Sequence, residues 1–213
     1  MTQPHACRAI DTFRATTAGL PCHLHVVENR NIDSWKHAEE INRYLRMCAG
    51  GYLLILDDDV WFEDNGWLQA AITILDAHPD VGIVAPAAWW NERENRKQYA
   101  HVDRPLYMDW VGSCCAIYRA VDFVHRWLEY EHYYGDPDYC LCCWEYGLRT
   151  VAIPERIFHV SARGETSSIR AVLGERKRAD MMRRDKVRYQ NKWADRLPAI
   201  QARVEILNKE CPL

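Results

Sequence analysis

The sequence predicts an α/β domain in which helices flank a mainly parallel β-sheet. Short aliphatic runs of strand length alternate along the chain with amphipathic segments of helical period, which is typical of strands joined by crossover helices. The most informative run is YLLILDDDVWF at residues 52–62, where five apolar residues lead into three aspartates. A run so short and so apolar indicates a buried strand. Because ligands of such sheets bind beyond the carboxyl ends of the strands, we expect a site at Asp57, Asp58 and Asp59.

The other elements follow from the period of the apolar residues and from the turn-forming residues between them. We predict helices over residues 6–17, 34–47, 67–77, 121–130 and 140–146, and strands over residues 22–27, 52–57, 81–86, 110–118, 150–153 and 157–160. The pair Gly50 and Gly51 ends the second helix. A single domain over residues 1–193, followed by a helical tail over residues 194–213, accommodates this order of elements.

Composition and charge exclude several classes of protein. The net charge is -3 and the pI about 6.3, so we expect no nucleic-acid partner. No apolar run approaches membrane-spanning length, and residues 1–19 lack the apolar core of a secretory signal. The nine cysteines are therefore expected to be reduced thiols in a cytoplasmic protein. A zinc site is the alternative, since the cysteines within residues 140–143 occur between His132 and His159.

Three adjacent aspartates require a physical explanation. Their charges repel one another, which costs stability unless a cation offsets them. Oxygen ligands suit a hard divalent ion such as Mg²⁺ or Mn²⁺, and such an ion can hold a diphosphate at the same time. The alternative is an acidic loop that caps the next helix through Asp64 or Asn65.

Four segments occur in an order that resembles a known family. They are HVVENRNID at residues 25–33, Asn42 with the glycine pair that follows it, LDDDV at residues 56–60, and GDPDYCLCCWEYGLRTVAIPERIFHV at residues 135–160. Together these are similar to inverting glycosyltransferases of family 2, which have the GT-A fold, a Rossmann-like and mainly parallel sheet flanked by helices. The resemblance implies a transferase that uses a nucleoside-diphosphate sugar, most simply a UDP- or GDP-sugar. The acceptor, whether a glycan, a lipid or another hydroxyl compound, stays open.

The resemblance also implies roles for individual residues. Asp59, Asp57 and His159 match the family's metal-binding positions, with Mn²⁺ or Mg²⁺ as the ion. Asp57 would otherwise contact the ribose or a metal-bound water, and Asp58 is the middle residue of the motif. For His159 the alternative is a strand-end histidine bonded to a backbone carbonyl. The positions matched to nucleotide or donor-sugar binding are Glu28, Asn29, Asn42, Asp57, Asp58 and Gly112.

The resemblance assigns the general base to the start of a later helix. Asp136 matches the family's catalytic aspartate, and a carboxylate beside a metal-bound diphosphate in a closing cleft is a reasonable base. Asp138 is the rival for this role, with helix capping as its alternative. Trp110 would stack on donor or acceptor, or else pack in the core. A single base and a single displacement imply inversion at the anomeric carbon.

Two departures from the family pattern bear on activity. The chain begins where the family's first strand and its nucleotide-binding turn would lie, so we expect that strand to be missing and a sheet edge to be exposed. Gly135 replaces the glutamate that usually precedes the catalytic aspartate. A catalytically impaired remnant that binds a nucleotide or a partner is therefore the alternative function. A nucleotidyltransferase would need a glycine-rich phosphate loop near its start, and residues 1–19 contain none.

The basic segment at residues 169–193 has three interpretations. Interleaved acidic residues favour a solvated helix. Alternatively, Arg163 or Arg170 closes over the diphosphate as part of a lid. The third interpretation is a basic face that contacts a membrane surface peripherally or binds a phosphate-rich acceptor.

Overall fold

A computed structural model describes residues 4–27, 37–48, 50–62, 65–91, 96–97, 102–120, 130–131, 133–159, 168–211 and 213. The helices are α1 (Pro4–Thr16), α2 (His37–Met47), α3 (Trp67–Ala77), α4 (Gly135–Glu145), α5 (Ser168–Trp193) and α6 (Leu197–Glu210). The strands are β1 (Tyr52–Leu56), β2 (Val60–Phe62), β3 (Val81–Asn91), β4 (Arg96–Lys97), β5 (Leu106–Met108), β6 (Cys115–Arg119) and β7 (Arg149–His159). The predicted helix over residues 121–130 lies almost wholly outside the described residues.

The α/β class is confirmed, and the strand directions correct the prediction of a mainly parallel sheet. The strand order is β1-β6-β3-β7-β2, with β4 beside β3 and β5 beside β7. Among the described strands, only β3 and β7 pair in parallel, and the other pairs are antiparallel. Because β6 runs between β1 and β3, those two strands point the same way without touching. Pairing between distant segments cannot be read from the period of each segment alone.

Two strand predictions are wrong in detail. Among the described strands β1 pairs only with β6, so one of its edges is open. Residues 22–27 do not use it: they form neither helix nor strand and are exposed. The two strands predicted at residues 150–153 and 157–160 are a single strand, β7. Pro154 lies where β7 changes its antiparallel partner from β5 to β2 and where its pairing with β3 is irregular. A residue without an N–H group is tolerated at such a point.

The sheet is covered on both faces. Along β6, Cys115 and Ile117 belong to one apolar cluster, while Ala116 and Tyr118 belong to the other, as the alternation of side chains in a strand requires. Helix α2 covers the second cluster, and α1, α3 and α6 contribute to the first. Both clusters are buried, so the sheet is a true central layer.

Helix α1 fixes the position of β2. The Phe13 ring lies 6.5 Å from that of Phe62, and the hydroxyl of Thr12 accepts the backbone N–H of Phe62 at 3.3 Å. The Arg8 guanidinium lies 3.8 Å from the centroid of the Trp61 ring, within the range of a cation–π contact. These contacts hold the strand that follows the aspartate turn.

None of the helices in the described part of the chain is both long enough and apolar enough to span a bilayer.

Candidate active site

The aspartate turn joins two strands that belong to different parts of the sheet. Asp57 follows β1 directly, and its backbone N–H donates to the carbonyl of Cys114 at 2.8 Å. Asp58 and Asp59 form the turn, after which Val60 of β2 pairs with His159 at the end of β7. The pairing brings Asp59 beside His159, with Oδ1 of the carboxylate 3.1 Å from Nε2 of the imidazole. Residues that lie 100 positions apart thus meet because β2 closes the sheet.

Asp57, Asp59 and His159 form a group suited to a metal ion. Each offers one ligand atom, and the three atoms lie within 4.8 Å of one another, with all three residues half-buried. Among the residues that the structure describes, no group with this geometry includes a cysteine. The five cysteines at positions 114, 115, 140, 142 and 143 are instead buried in the core. The zinc alternative has no support there, and His132 lies outside the described residues.

Burial and neighbouring charges shift the pKa values of two residues in this group. Burial and then the neighbouring charge of Asp59 raise the pKa of Asp57 to about 6. Burial alone would lower the pKa of His159, but the hydrogen bond to Asp59 and the charges of Asp59 and Asp57 outweigh it, so that pKa is raised. A divalent cation would relieve the repulsion that a protonated imidazole only partly offsets.

Asp57→Asn is expected to raise the stability of the metal-free protein above pH 6 by about 1–3 kcal/mol. A carboxyl whose pKa rises on folding destabilises the native state as pH increases from its unfolded value to its folded value. The gain should therefore be complete above pH 6 and should disappear below about pH 4. Chemical denaturation in EDTA at pH 7.5 and pH 4 measures it. Asp58→Asn, at the exposed neighbour, is the control and should change stability by less than about 0.5 kcal/mol; an equal gain there would contradict the assignment.

Asp136 lies in the first turn of α4, close enough to Asp57 for its charge to contribute to the raised pKa of that residue. The backbone N–H groups of Ser113 and of Asp136 itself bond to its carboxylate and lower its pKa, but burial outweighs them and raises the pKa to about 6. Cys114, the next residue after Ser113, accepts the N–H of Asp57. The segment that follows the buried Gly112 therefore bonds to the Asp136 carboxylate through Ser113 and to the Asp57 backbone through Cys114.

Asp138 has different surroundings. Its side chain is fully buried and accepts the indole N–H of Trp193 at 2.6 Å, the Lys192 ammonium at 2.8 Å and the Tyr130 hydroxyl at 3.0 Å. The Cys142 thiol lies 3.9 Å from it. The carboxylate thus ties the first turn of α4 to the end of α5, with its acceptor positions occupied by protein donors.

Helix α5 also holds the segment that precedes α4. The buried carboxylate of Asp185 accepts the backbone N–H groups of Glu131 and Tyr133, each at 3.0 Å. The Arg184 guanidinium donates to both carboxylate oxygens of Glu131, at 2.7 and 2.8 Å. Sequence reasoning missed these contacts because pairs more than 50 positions apart leave no local pattern. The alternation of acids and bases along α5 was the available signal.

The remaining predicted site residues differ in burial, and two of them lie outside the part of the chain that the structure describes. Glu28 and Asn29 lie outside the described residues. Asn42 is buried on α2, and its Oδ1 has no hydrogen-bond partner within the described part of the chain. Asp58 is exposed in the turn, and Gly112 is buried one residue before Ser113.

Comparison with known proteins shows the family of this chain. The family model described as Glycosyl transferase family 2 matches residues 18–127, which include the aspartate turn and the Gly112 turn. The chain belongs to glycosyl transferase family 2. No curated protein matches it. As a family 2 member it is a glycosyltransferase that uses a nucleotide-sugar donor. The matched region includes Asp57 and Asp59 and ends before Asp136 and His159.

Proposed function

We propose that this family 2 chain is a metal-dependent, inverting glycosyltransferase that moves a sugar from a UDP- or GDP-sugar to an acceptor hydroxyl. The observation that carries the proposal is that two chemically distinct groups lie near each other. Asp57, Asp59 and His159 have the geometry of a cation site, and Asp136 is a separate half-buried carboxylate with a raised pKa. One group suits a leaving diphosphate, and the other suits proton transfer.

The donor set fits a divalent ion of the Mn²⁺ or Mg²⁺ type. Two carboxylates supply the hard oxygen ligands that both ions accept. The imidazole of His159 favours Mn²⁺ of the two, since Mg²⁺ prefers oxygen. When bound, the cation would supply positive charge against the diphosphate that leaves. The raised pKa of Asp57 supports this assignment, because burial and the charge of Asp59 both disfavour its ionised form and a bound cation would offset both effects.

The donor nucleotide would lie beside the same turn. Asp57 would contact the ribose or the hydration shell of the cation, and Asp58 is available to solvent next to it. Glu28 and Asn29 remain proposed contacts for the base and ribose. The buried Oδ1 of Asn42 is a candidate acceptor for a hydrogen bond from the sugar nucleotide, since an unpaired buried amide oxygen is costly.

Asp136 would act as the general base of a single displacement. Its carboxylate takes the proton of the acceptor hydroxyl while that oxygen forms a bond to the anomeric carbon. The bond between that carbon and the diphosphate oxygen breaks, and the electron pair leaves with the nucleoside diphosphate. Attack from the face opposite the leaving group inverts the configuration, so only one carboxylate is needed. The contacts of Asp138 support a structural role for it, because its oxygens already bond to three donors.

Release of nucleoside diphosphate from a panel of UDP- and GDP-sugars tests the proposal. We expect slow release from at least one donor, since water can replace the acceptor, and loss of that release in EDTA. Asp59→Asn should abolish it, because the substitution removes a ligand charge. Asp11→Asn, on an exposed position of α1, is the matched control and should behave as wild type. Nucleotide binding without release from any donor, with or without added acceptors, would favour the impaired remnant instead.

A further inference from the structure

A cavity of about 390 Å³ opens beside the Asp136 carboxylate. Its walls come from the segment before α4, from the start of α4, from α5 and from Trp110. The lining residues that carry the argument are Trp110, Tyr133, Tyr134, Asp136, Met182 and Tyr189. The volume is in the lower part of the range for small-molecule sites, roughly 300–1,000 Å³.

The walls are unusually rich in aromatic rings. Four of the residues just named are Trp or Tyr, and the rings of Tyr134 and Tyr189 lie 5.2 Å apart. Aromatic faces offer flat apolar area for the C–H groups of a sugar ring, while the hydroxyl and indole N–H groups supply hydrogen bonds at the edges. Burial raises the pKa of Tyr189 to about 12, so this residue remains a neutral hydroxyl donor.

The cavity is poor in positive charge. Among the described residues that line it, Asp136 is the only charged one. Four cations of α5 are engaged with acidic partners: Arg178 with Glu175 at 3.1 Å, Arg184 with Glu131 at 2.7 Å, Arg188 with Asp185 at 3.2 Å and Lys192 with Asp138 at 2.8 Å. Arg178 also donates to the hydroxyl of the lining residue Tyr133 at 3.5 Å. An acceptor bearing phosphate or carboxylate would place a second negative charge beside Asp136, and none of the described lining residues is a cation that could offset it.

The aromatic wall is held in position before any ligand binds. Tyr134 has φ 63°, in the left-handed region that is uncommon for residues other than glycine. Asp185 fixes the adjacent backbone through the N–H groups of Glu131 and Tyr133. A strained residue held by its surroundings is typical of ligand-binding positions, and such preorganisation lowers the entropic cost of binding.

We propose that this cavity binds the acceptor and that the acceptor is an uncharged saccharide, stacked on Trp110 and Tyr189 with one hydroxyl at Asp136. The assignment rests on the proposed function, since Asp136 defines the acceptor side. The hydroxyl proton passes to the Asp136 carboxylate as the acceptor oxygen bonds to the anomeric carbon, and the nucleoside diphosphate leaves with the electron pair.

Saturation-transfer NMR tests the proposal without relying on turnover. The neutral probes are methyl glucopyranosides, methyl galactopyranosides, cellobiose and maltose. Sorbitol is the control that lacks a ring, and glucuronic acid and glucose 6-phosphate are the charged sugars. Protein saturated with UDP or GDP and Mn²⁺ should transfer saturation to the neutral ring sugars and not to sorbitol. Tyr189→Ala should weaken their binding about fivefold, the size expected for one lost aromatic contact.

A further variant keeps the test specific. Tyr146→Ala, at an exposed tyrosine just after α4, should bind the sugars as wild type does. The proposal is overturned if nucleotide binds but no neutral sugar does, if the charged sugars bind better, or if Tyr189→Ala binds unchanged. Failure of nucleotide binding itself, measured separately by calorimetry, would instead refute the proposed function.

Discussion

Asp136→Asn is expected to lower the rate of sugar transfer by about 10²–10⁴-fold while leaving nucleotide affinity unchanged. The amide keeps the size and hydrogen-bonding reach of the carboxylate but cannot take the acceptor proton. Because Asp136 is not one of the three residues with metal-ligand geometry, the cation and diphosphate should bind as before. Steady-state transfer rates, combined with calorimetric affinity for the nucleotide, measure both effects.

The pH profile of the wild-type protein provides an independent check on the same residue. The base must be deprotonated, so the rate should fall as pH decreases through about 6, the pKa to which burial raises Asp136. Nucleotide affinity measured over the same range with saturating Mn²⁺ separates this effect from protonation of the metal ligands. If Asp138→Asn abolished transfer in a folded protein while Asp136→Asn did not, Asp138 would be the base.

Asp138→Ala is expected to destabilise the protein by about 3–5 kcal/mol. The substitution leaves the Lys192 ammonium and the indole N–H of Trp193 without the buried acceptor that they share. It also releases the first turn of α4 from α5, which displaces the Asp136 segment. Urea or guanidinium unfolding measures the loss.

A control and a double-mutant cycle separate this contact from ordinary surface charge. Asp180→Ala removes a carboxylate on α5 that pairs with the largely exposed Arg183 at 3.2 Å, and such a pair contributes at most about 0.5 kcal/mol. Lys192→Met in the Asp138→Ala background should recover part of the stability, because the uncompensated charge is gone. Additive losses would show that Lys192 and Asp138 are not coupled.

The local parts of the fold could be predicted from sequence because each is encoded in a short window. The period of apolar residues located α3 at residues 67–77, and the aliphatic run before the aspartates located β1. The antiparallel insertion of β6 between β1 and β3 could not be predicted, since strand pairing depends on contacts between distant segments. Residues 22–27 have the composition of a strand but do not pair with the open edge of β1, which composition alone cannot predict.

The candidate site likewise has a part that short sequence windows predict and a part that depends on distant contacts. The three aspartates and the expectation of a cation follow from residue type and adjacency alone. The meeting of Asp59 with His159 requires the pairing of β2 with β7, which is invisible in a three-residue strand. The choice between Asp136 and Asp138 likewise depends on donors from Lys192 and Trp193, more than 50 positions away. The aromatic cavity depends on how α5 packs against the start of α4.

Calorimetric titration of UDP and GDP in the presence of Mn²⁺, and again in EDTA, tests the central claim most directly. The account predicts micromolar binding of one nucleotide, lost in EDTA and lost in Asp59→Ala, with Asp11→Ala unchanged. Binding that persists in EDTA or in Asp59→Ala would contradict the metal role of Asp57, Asp59 and His159. Absence of binding by a folded protein would contradict the donor assignment itself.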